Sequence, residues 1–292
     1  MIWLVGASGM LGREVSEIFR ASGIDWIGSD REVDITSRPA LSEYIQNLQF
    51  NWIVNCAGYT AVDKAETEGN LAYAINAEGA KNLAELAAAR DAPLLHISTD
   101  YVFDGKSTRP YREEDHAAPL NVYGTTKFAG ELMVRENCSR SYIIRTAWLY
   151  GQGGTNFVDT ILKLMSEREN LQVVSDQRGS PTWVRDLAAA IAAIIRSGKD
   201  LYGTYHYTSA GDTTWYEYAR EIHRLARAKG LLARDCIINP IESALFPSKA
   251  RRPAFSILSK EKIVRTFGLE IPDWRKSLAR FMEERVQRGS AA

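Results

Sequence analysis

Two residues four apart, Tyr123 and Lys127, stand in the stretch 119-PLNVYGTTKFAGELMV-134. On a helix, positions i and i+4 share a face, so this spacing sets a phenol beside an ammonium. A free tyrosine titrates near pH 10 and is a poor acid–base at neutral pH. A neighbouring cation favours the phenolate and draws that value toward the working range. The pair therefore predicts reduction of a ketone, or its reverse. Tyr123 would carry the proton, while Lys127 tunes the phenol and holds a ribose. Upstream, 97-ISTDYVFDG-105 adds Thr99, whose hydroxyl can donate to a carbonyl oxygen, and Asp100 beside it. By itself Y-x-x-x-K is also what an exposed helix face would show, but it occurs once among 13 tyrosines and follows two further motifs.

The first of those motifs is 2-IWLVGASGMLGREVSEIFRASG-23, which reads as strand, glycine turn and helix. Gly6 would make the tight exit from the strand. Gly9 would let the backbone approach a pyrophosphate, and Gly12 would let the helix pack closely. The helix end then offers free N–H groups to phosphate. The second strand ends at 25-DWIGSDRE-32, where Asp30 can take the adenine ribose hydroxyls, which favours NAD. The adjacent Arg31 can meet a 2′-phosphate, which favours NADP. In 34-DITS-37, Asp34 and Ile35 are placed to flank the adenine.

These groups need a scaffold. Short apolar runs at 2–5, 25–28, 52–56, 94–97 and 142–145 alternate with helical patterns such as 76-NAEGAKNLAELAAAR-90. That alternation predicts an α/β fold, a Rossmann-type doubly wound parallel sheet. Residues at the carboxyl ends of its strands face the binding crevice. Helices at 156–169, 184–197, 213–230 and 274–287, with strands at 171–174 and 204–207, change the character of the second half. The expected division is a dinucleotide-binding domain over 1–170, completed by about 181–209. A smaller mixed α/β substrate domain would take 171–180 and 210–292. A frayed tail is expected at 288–292.

Of 292 residues, 45% are hydrophobic and 25% charged, with 36 basic against 36 acidic side chains. Zero net charge gives no global field for nucleic acid or an anionic membrane. No apolar run approaches the roughly 20 residues of a membrane helix, and the N-terminus is a poor secretory signal. Three scattered cysteines, Cys56, Cys138 and Cys236, form neither a disulfide framework nor a C-x-x-C site. A reduced, cytoplasmic setting is expected, and no residue cluster independently demands a metal.

The G-x-x-G-x-x-G spacing and 54-VNCAGYTAVDKAE-66 resemble the extended short-chain dehydrogenase/reductase superfamily. Within it, 60-TAVDKAE-66, 98-STDYVFDG-105, 119-PLNVYGTTKFAGE-131, 145-RTAWLYG-151 and 176-DQRGSPTWVRDLA-188 resemble the dTDP-4-dehydrorhamnose reductase family over nearly the whole chain. The resemblance implies reduction of the C4 ketone of dTDP-6-deoxy-L-lyxo-4-hexulose by NADPH or NADH. It places Thr99, Tyr123 and Lys127 on catalytic positions. Gly9, Met10, Leu11, Asp30 and the stretch Ala57, Gly58, Tyr59 and Thr60 fall on cofactor contacts. Asp100 and Trp148 fall on substrate contacts, the indole lying against a sugar ring. The run 249-KARRPAFSIL-258 resembles the family's Arg-Pro segment, which makes Arg252 the candidate for the diphosphate. The same resemblance allows a monomer or a homodimer, in some members bridged by Mg2+ through glutamates. Here Arg185 stands where one of those acids is expected, which argues against a bridge. Two rival readings are an epimerase or dehydratase of the same superfamily, and a non-catalytic NADP-binding subunit like methionine adenosyltransferase β. Dehydratases read Thr-Asp-Glu where this chain has Thr99-Asp100-Tyr101.

Overall fold

The computed structural model describes residues 1–289. The part of the expected tail beyond 289 lies outside the described residues. Along the first half run β1 (Ile2–Val5), α1 (Met10–Ala21), β2 (Trp26–Ser29), α2 (Arg38–Ile45) and β3 (Trp52–Asn55). Then come α3 (Val62–Ala65), α4 (Gly69–Tyr73), a single π turn (Ala74–Glu78) and α5 (Gly79–Ala89). Next are β4 (Leu94–Thr99), α6 (Val122–Asn137) and β5 (Ser141–Thr146). The second half holds β6 (Leu149–Tyr150), α7 (Phe157–Glu167), β7 (Asn170–Val174), β8 (Arg178–Gly179) and β9 (Thr182–Trp183). After them come α8 (Val184–Ser197), β10 (Gly203–His206), β11 (Thr213–Thr214), α9 (Trp215–Ala228) and β12 (Ile237–Ile241). The described chain closes with α10 (Glu261–Phe267) and α11 (Trp274–Gly289).

Six strands form one parallel sheet in the order β10-β5-β4-β3-β1-β2. All residues of β1 and β5 are buried, as a parallel sheet covered by helices on both faces requires. The expected α/β class is what folds. From β1 the chain steps out to β2, then crosses back to β3 on the other side of β1. That reversal is the switch point above which ligands bind in such sheets.

One apolar cluster joins Trp3 and Ile143 of the sheet to Leu41 of α2 and Leu83 of α5. The larger cluster runs from Leu4 and Val15 through Ile191 of α8 to Ile222 of α9 and Phe281 of α11. Residues 171–180 and 210–289 add two separate strand pairs, β7 with β12 and β8 with β11. Their helices share that second core with α1 and α8.

The start of α6 is fixed chemically. Asn121 caps it, its Oδ1 accepting from the Gly124 N–H at 2.7 Å. Glu66 accepts from the Val122 N–H at 2.9 Å, where the helix dipole favours an anion. Tyr123 thus sits in a capped first turn.

Candidate active site

The glycine turn is built for close approach. Gly6 has φ +79°, and a Cβ on it would stand 2.7 Å from the Ala57 nitrogen of the neighbouring turn. A Cβ on Gly12 would stand 2.1 Å from the Gly6 carbonyl oxygen, so α1 packs onto the turn only because that methyl is missing. At Gly9 a Cβ would meet only the Gly6 oxygen, at 3.3 Å, with open space beyond. The α1 N-terminus has no side-chain cap and no acid in its first turn. Its N–H groups are left for an anion. These residues fit a dinucleotide pyrophosphate. Asp30 accepts from the Ser8 N–H at 2.8 Å and the Arg31 N–H at 2.9 Å, tying the end of β2 to the turn. Arg31 is exposed beside it.

The turn after β3 is held by two asparagines. Asn55 Oδ1 accepts from the Ala57 N–H at 3.0 Å, and its amide meets the His96 ring. Asn76 is buried in the π turn, a local widening frequent at functional sites. Its Oδ1 accepts from the Tyr59 N–H at 2.8 Å, and its amide donates to the Tyr59 carbonyl and the Thr126 hydroxyl. It so clamps the Gly58–Tyr59 turn to α6. Sequence reasoning missed Asn76: nothing in 76-NAEG-79 separates it from a polar residue at a helix start. Thr60 follows the turn, exposed.

Thr99 ends β4 and Asp100 follows it, both buried, with Tyr123 half-buried opposite them. Thr99 Oγ1 donates to Asp100 Oδ1 at 3.0 Å and accepts from the Tyr101 N–H at 3.2 Å. Burial pushes the Tyr123 phenol up to about 12; hydrogen bonding with Thr99 opposes the rise, and Asp100 adds to it. Lys127 is not among the groups that shift the phenol; its Nζ donates to the Ile97 carbonyl at 2.7 Å. Burial in turn draws Lys127 down to about 8. Asp100 is pushed up to about 7 by burial, against the pull of Ser256 and Thr99. Its Oδ2 is buried, with no partner within hydrogen-bond geometry among the described residues.

Three further expectations meet particular surroundings. Ile35 turns its side chain into the core, where a Cβ on Gly79 would lie 2.7 Å from it. Asp34 beside it stays exposed with its carboxylate on Thr36. Trp148 stacks on Trp215 at 3.5 Å between centroids and 10° between planes, so one indole face is already covered. Its φ of +48° is strained for a bulky side chain. A Cβ on Gly179 would stand 2.6 Å from its ring, so the tryptophan lies over a glycine floor. Trp215 and Gly179 were not legible as site residues, being far from Trp148 in sequence. Arg252 faces Asp63 of α3, with Nη2 to Oδ2 at 2.7 Å, and not open solvent. Burial pushes Asp63 up, but hydrogen bonds from Arg252 and Ala250 outweigh it and hold it at about 2. The pair docks the Arg-Pro segment onto the 60-TAVDKAE-66 motif.

Magnesium does not fit this chain. Arg185 of α8 sits 3.3 Å from Glu14 of α1 and pairs with Glu284 of α11. The guanidinium supplies the positive charge between these carboxylates, and no cluster of three or more His, Cys, Asp or Glu that could hold a metal is present among the described residues. Activity and melting temperature are expected to be unchanged by EDTA; a loss restored by Mg2+ would contradict this reading.

The family model described as RmlD substrate binding domain matches residues 1–287. The dTDP-4-dehydrorhamnose reductase of Escherichia coli K12 is 39% identical over 97% of both chains. That of Streptomyces griseus is 43% identical over 94% of this chain and 91% of its own. The crystal structure of the Bacillus anthracis dTDP-4-dehydrorhamnose reductase in complex with NADP superposes with a TM-score of 0.91 at 39% identity, covering 97% of this chain and 98% of that one. With the glycine turn, the Thr99–Tyr123 pair and matches spanning nearly its whole length, the chain belongs to the dTDP-4-dehydrorhamnose reductase family.

Proposed function

We propose that this chain reduces the C4 ketone of dTDP-6-deoxy-L-lyxo-4-hexulose to give dTDP-L-rhamnose, using NADPH or NADH. The observation that carries this is the half-buried Tyr123 beside the Thr99 hydroxyl, at the strand ends next to an uncapped glycine turn. A bound reduced nicotinamide supplies the hydride to the carbonyl carbon. Thr99 donates to the carbonyl oxygen and orients it. Tyr123 then gives its proton to the alkoxide, completing the alcohol. A phenol raised to about 12 stays protonated at neutral pH, which suits reduction. The alkoxide is the stronger base, so the transfer runs downhill. Lys127 Nζ, close to Gly58 of the cofactor turn, is placed to hold the ribose. Asp100 takes a sugar hydroxyl, and Trp148 lies against the sugar ring. On substrate arrival Arg252 exchanges contact with Asp63 for the diphosphate.

Asp30 and Arg31 stand side by side, and we read this as dual use of NADH and NADPH. Residues 171–180 and 210–292 are read as the substrate region. Three free thiols support a reducing, cytoplasmic setting, and no helix among the described residues is long and apolar enough to cross a membrane. Against dehydration, position 101 is a tyrosine whose ring packs edge-on against Tyr123 at 5.8 Å, not a glutamate base. Incubation with the 4-keto sugar and NADPH is expected to oxidise NADPH stoichiometrically with product. Isomerised sugar without NADPH loss would favour an epimerase. A stable partner enzyme without turnover would favour the regulatory-subunit reading.

A further inference from the structure

Three successive residues of β4 each meet one side chain on a single stripe of α6. Ile97 accepts from Lys127 at 2.7 Å, Ser98 Oγ donates to Glu131 Oε1 at 2.6 Å, and Thr99 acts on Tyr123. Tyr123, Lys127 and Glu131 are spaced i, i+4 and i+8, so they line one helix face. Glu131 is fully buried at 0% exposure. Behind it, Arg145 of β5 donates from Nε and Nη2 at 2.8 and 2.7 Å, one bond to each carboxylate oxygen. Arg135, one turn on, donates at 2.5 Å.

We propose that Glu131 is a positioning residue of the reaction: bound to Ser98 and Arg145, it fixes α6 in register on β4 and sets a negative charge beneath the Lys127 ammonium. The proposal rests on the reductase reading. The surroundings of Lys127 single Glu131 out. Burial draws Lys127 down, and the two groups that oppose it are Glu131 first and Cys56 second. Burial pushes the Cys56 thiol up to about 12, so it is uncharged at neutral pH. His96, on β4, is held well below its usual value by burial and is neutral too. Gly58 and Asn76, on the turns above, bring no charge. A carboxylate whose charge was fully cancelled by Arg145 at the Lys127 site would leave the proton on Lys127 unaffected.

The test is the pH dependence of keto-sugar reduction and, separately, of NADPH affinity by fluorescence titration without sugar. Both are measured on the wild type, Glu131→Gln and Arg135→Ala. Loss of the carboxylate is expected to move the alkaline limb, where Lys127 gives up its proton, down by about one pH unit. Removing Arg135, whose side chain is 42% exposed, leaves the fold intact and unmasks the carboxylate; it is expected to move the limb up by roughly half a unit. Opposite shifts support the proposal. Limbs that coincide with the wild type overturn it, even if overall rates fall. If Glu131→Gln does not fold, the direction in Arg135→Ala decides alone. Absence of sugar reduction by the wild type would defeat the reductase reading, while the NADPH titration would still report on Glu131.

Discussion

Replacing Tyr123 by phenylalanine is expected to lower kcat by about a hundred- to ten-thousandfold, the contribution of a positioned proton donor, while NADPH affinity changes little. Only one oxygen is removed. The ring keeps its edge-on contact with Tyr101 at 5.8 Å, and the Thr99 hydroxyl is untouched, so it can still turn from Asp100 to orient the carbonyl. What is lost is the proton for the alkoxide. Single-turnover reduction monitored by nicotinamide absorbance checks this, and turnover within a few-fold of wild type would remove Tyr123 from the donor role. The order of titration adds a second observable. Lys127 is drawn down to about 8 and Tyr123 is pushed up to about 12, each chiefly by burial. As pH rises the lysine therefore gives up its proton before the tyrosine does. The alkaline limb belongs to the cofactor grip, and Tyr123→Phe is expected to leave its position unchanged.

Replacing Arg145 by methionine is expected to destabilise the fold by about 3–5 kcal/mol, the usual result of stranding one partner of a buried ion pair. Arg145 is 3% exposed, and its guanidinium satisfies both oxygens of Glu131. It also lies 5.1 Å over the Phe103 ring. Methionine fills much of the volume, so the loss is of charge balance more than of packing. Exposed Arg135 still reaches one oxygen, but it cannot stand in for a buried counterion. Urea unfolding measures the effect. A change below about 1 kcal/mol, within the range of exposed pairs, would show that the cluster is not the anchor described here.

The sheet and its crevice were legible because short apolar runs between helical patterns admit few arrangements. The glycine turn was legible because Gly6, Gly9 and Gly12 answer to local backbone needs. Even the strand and helix ends came close: the helix expected at 184–197 folds as Val184–Ser197. The helix expected from residue 76 instead begins as a π turn, where tertiary contacts of Asn76 with Tyr59 and Thr126 override the regular pattern.

The family's motifs were legible in the sequence alone, since the spacing of Tyr123 and Lys127 and the order of the motifs are local properties of helix and strand. The tertiary structure decided which partner each charged group takes. Arg252 meets Asp63 from 189 residues away, Arg185 meets Glu284 from 99, and Arg145 meets Glu131 from 14. Lys127 stacks one turn from Tyr123, as its spacing requires, yet gives its hydrogen bond to a backbone carbonyl of β4. Helical period fixes which side chains share a face. Which of them is charged, and what it holds, depends on burial and on donors brought from distant strands.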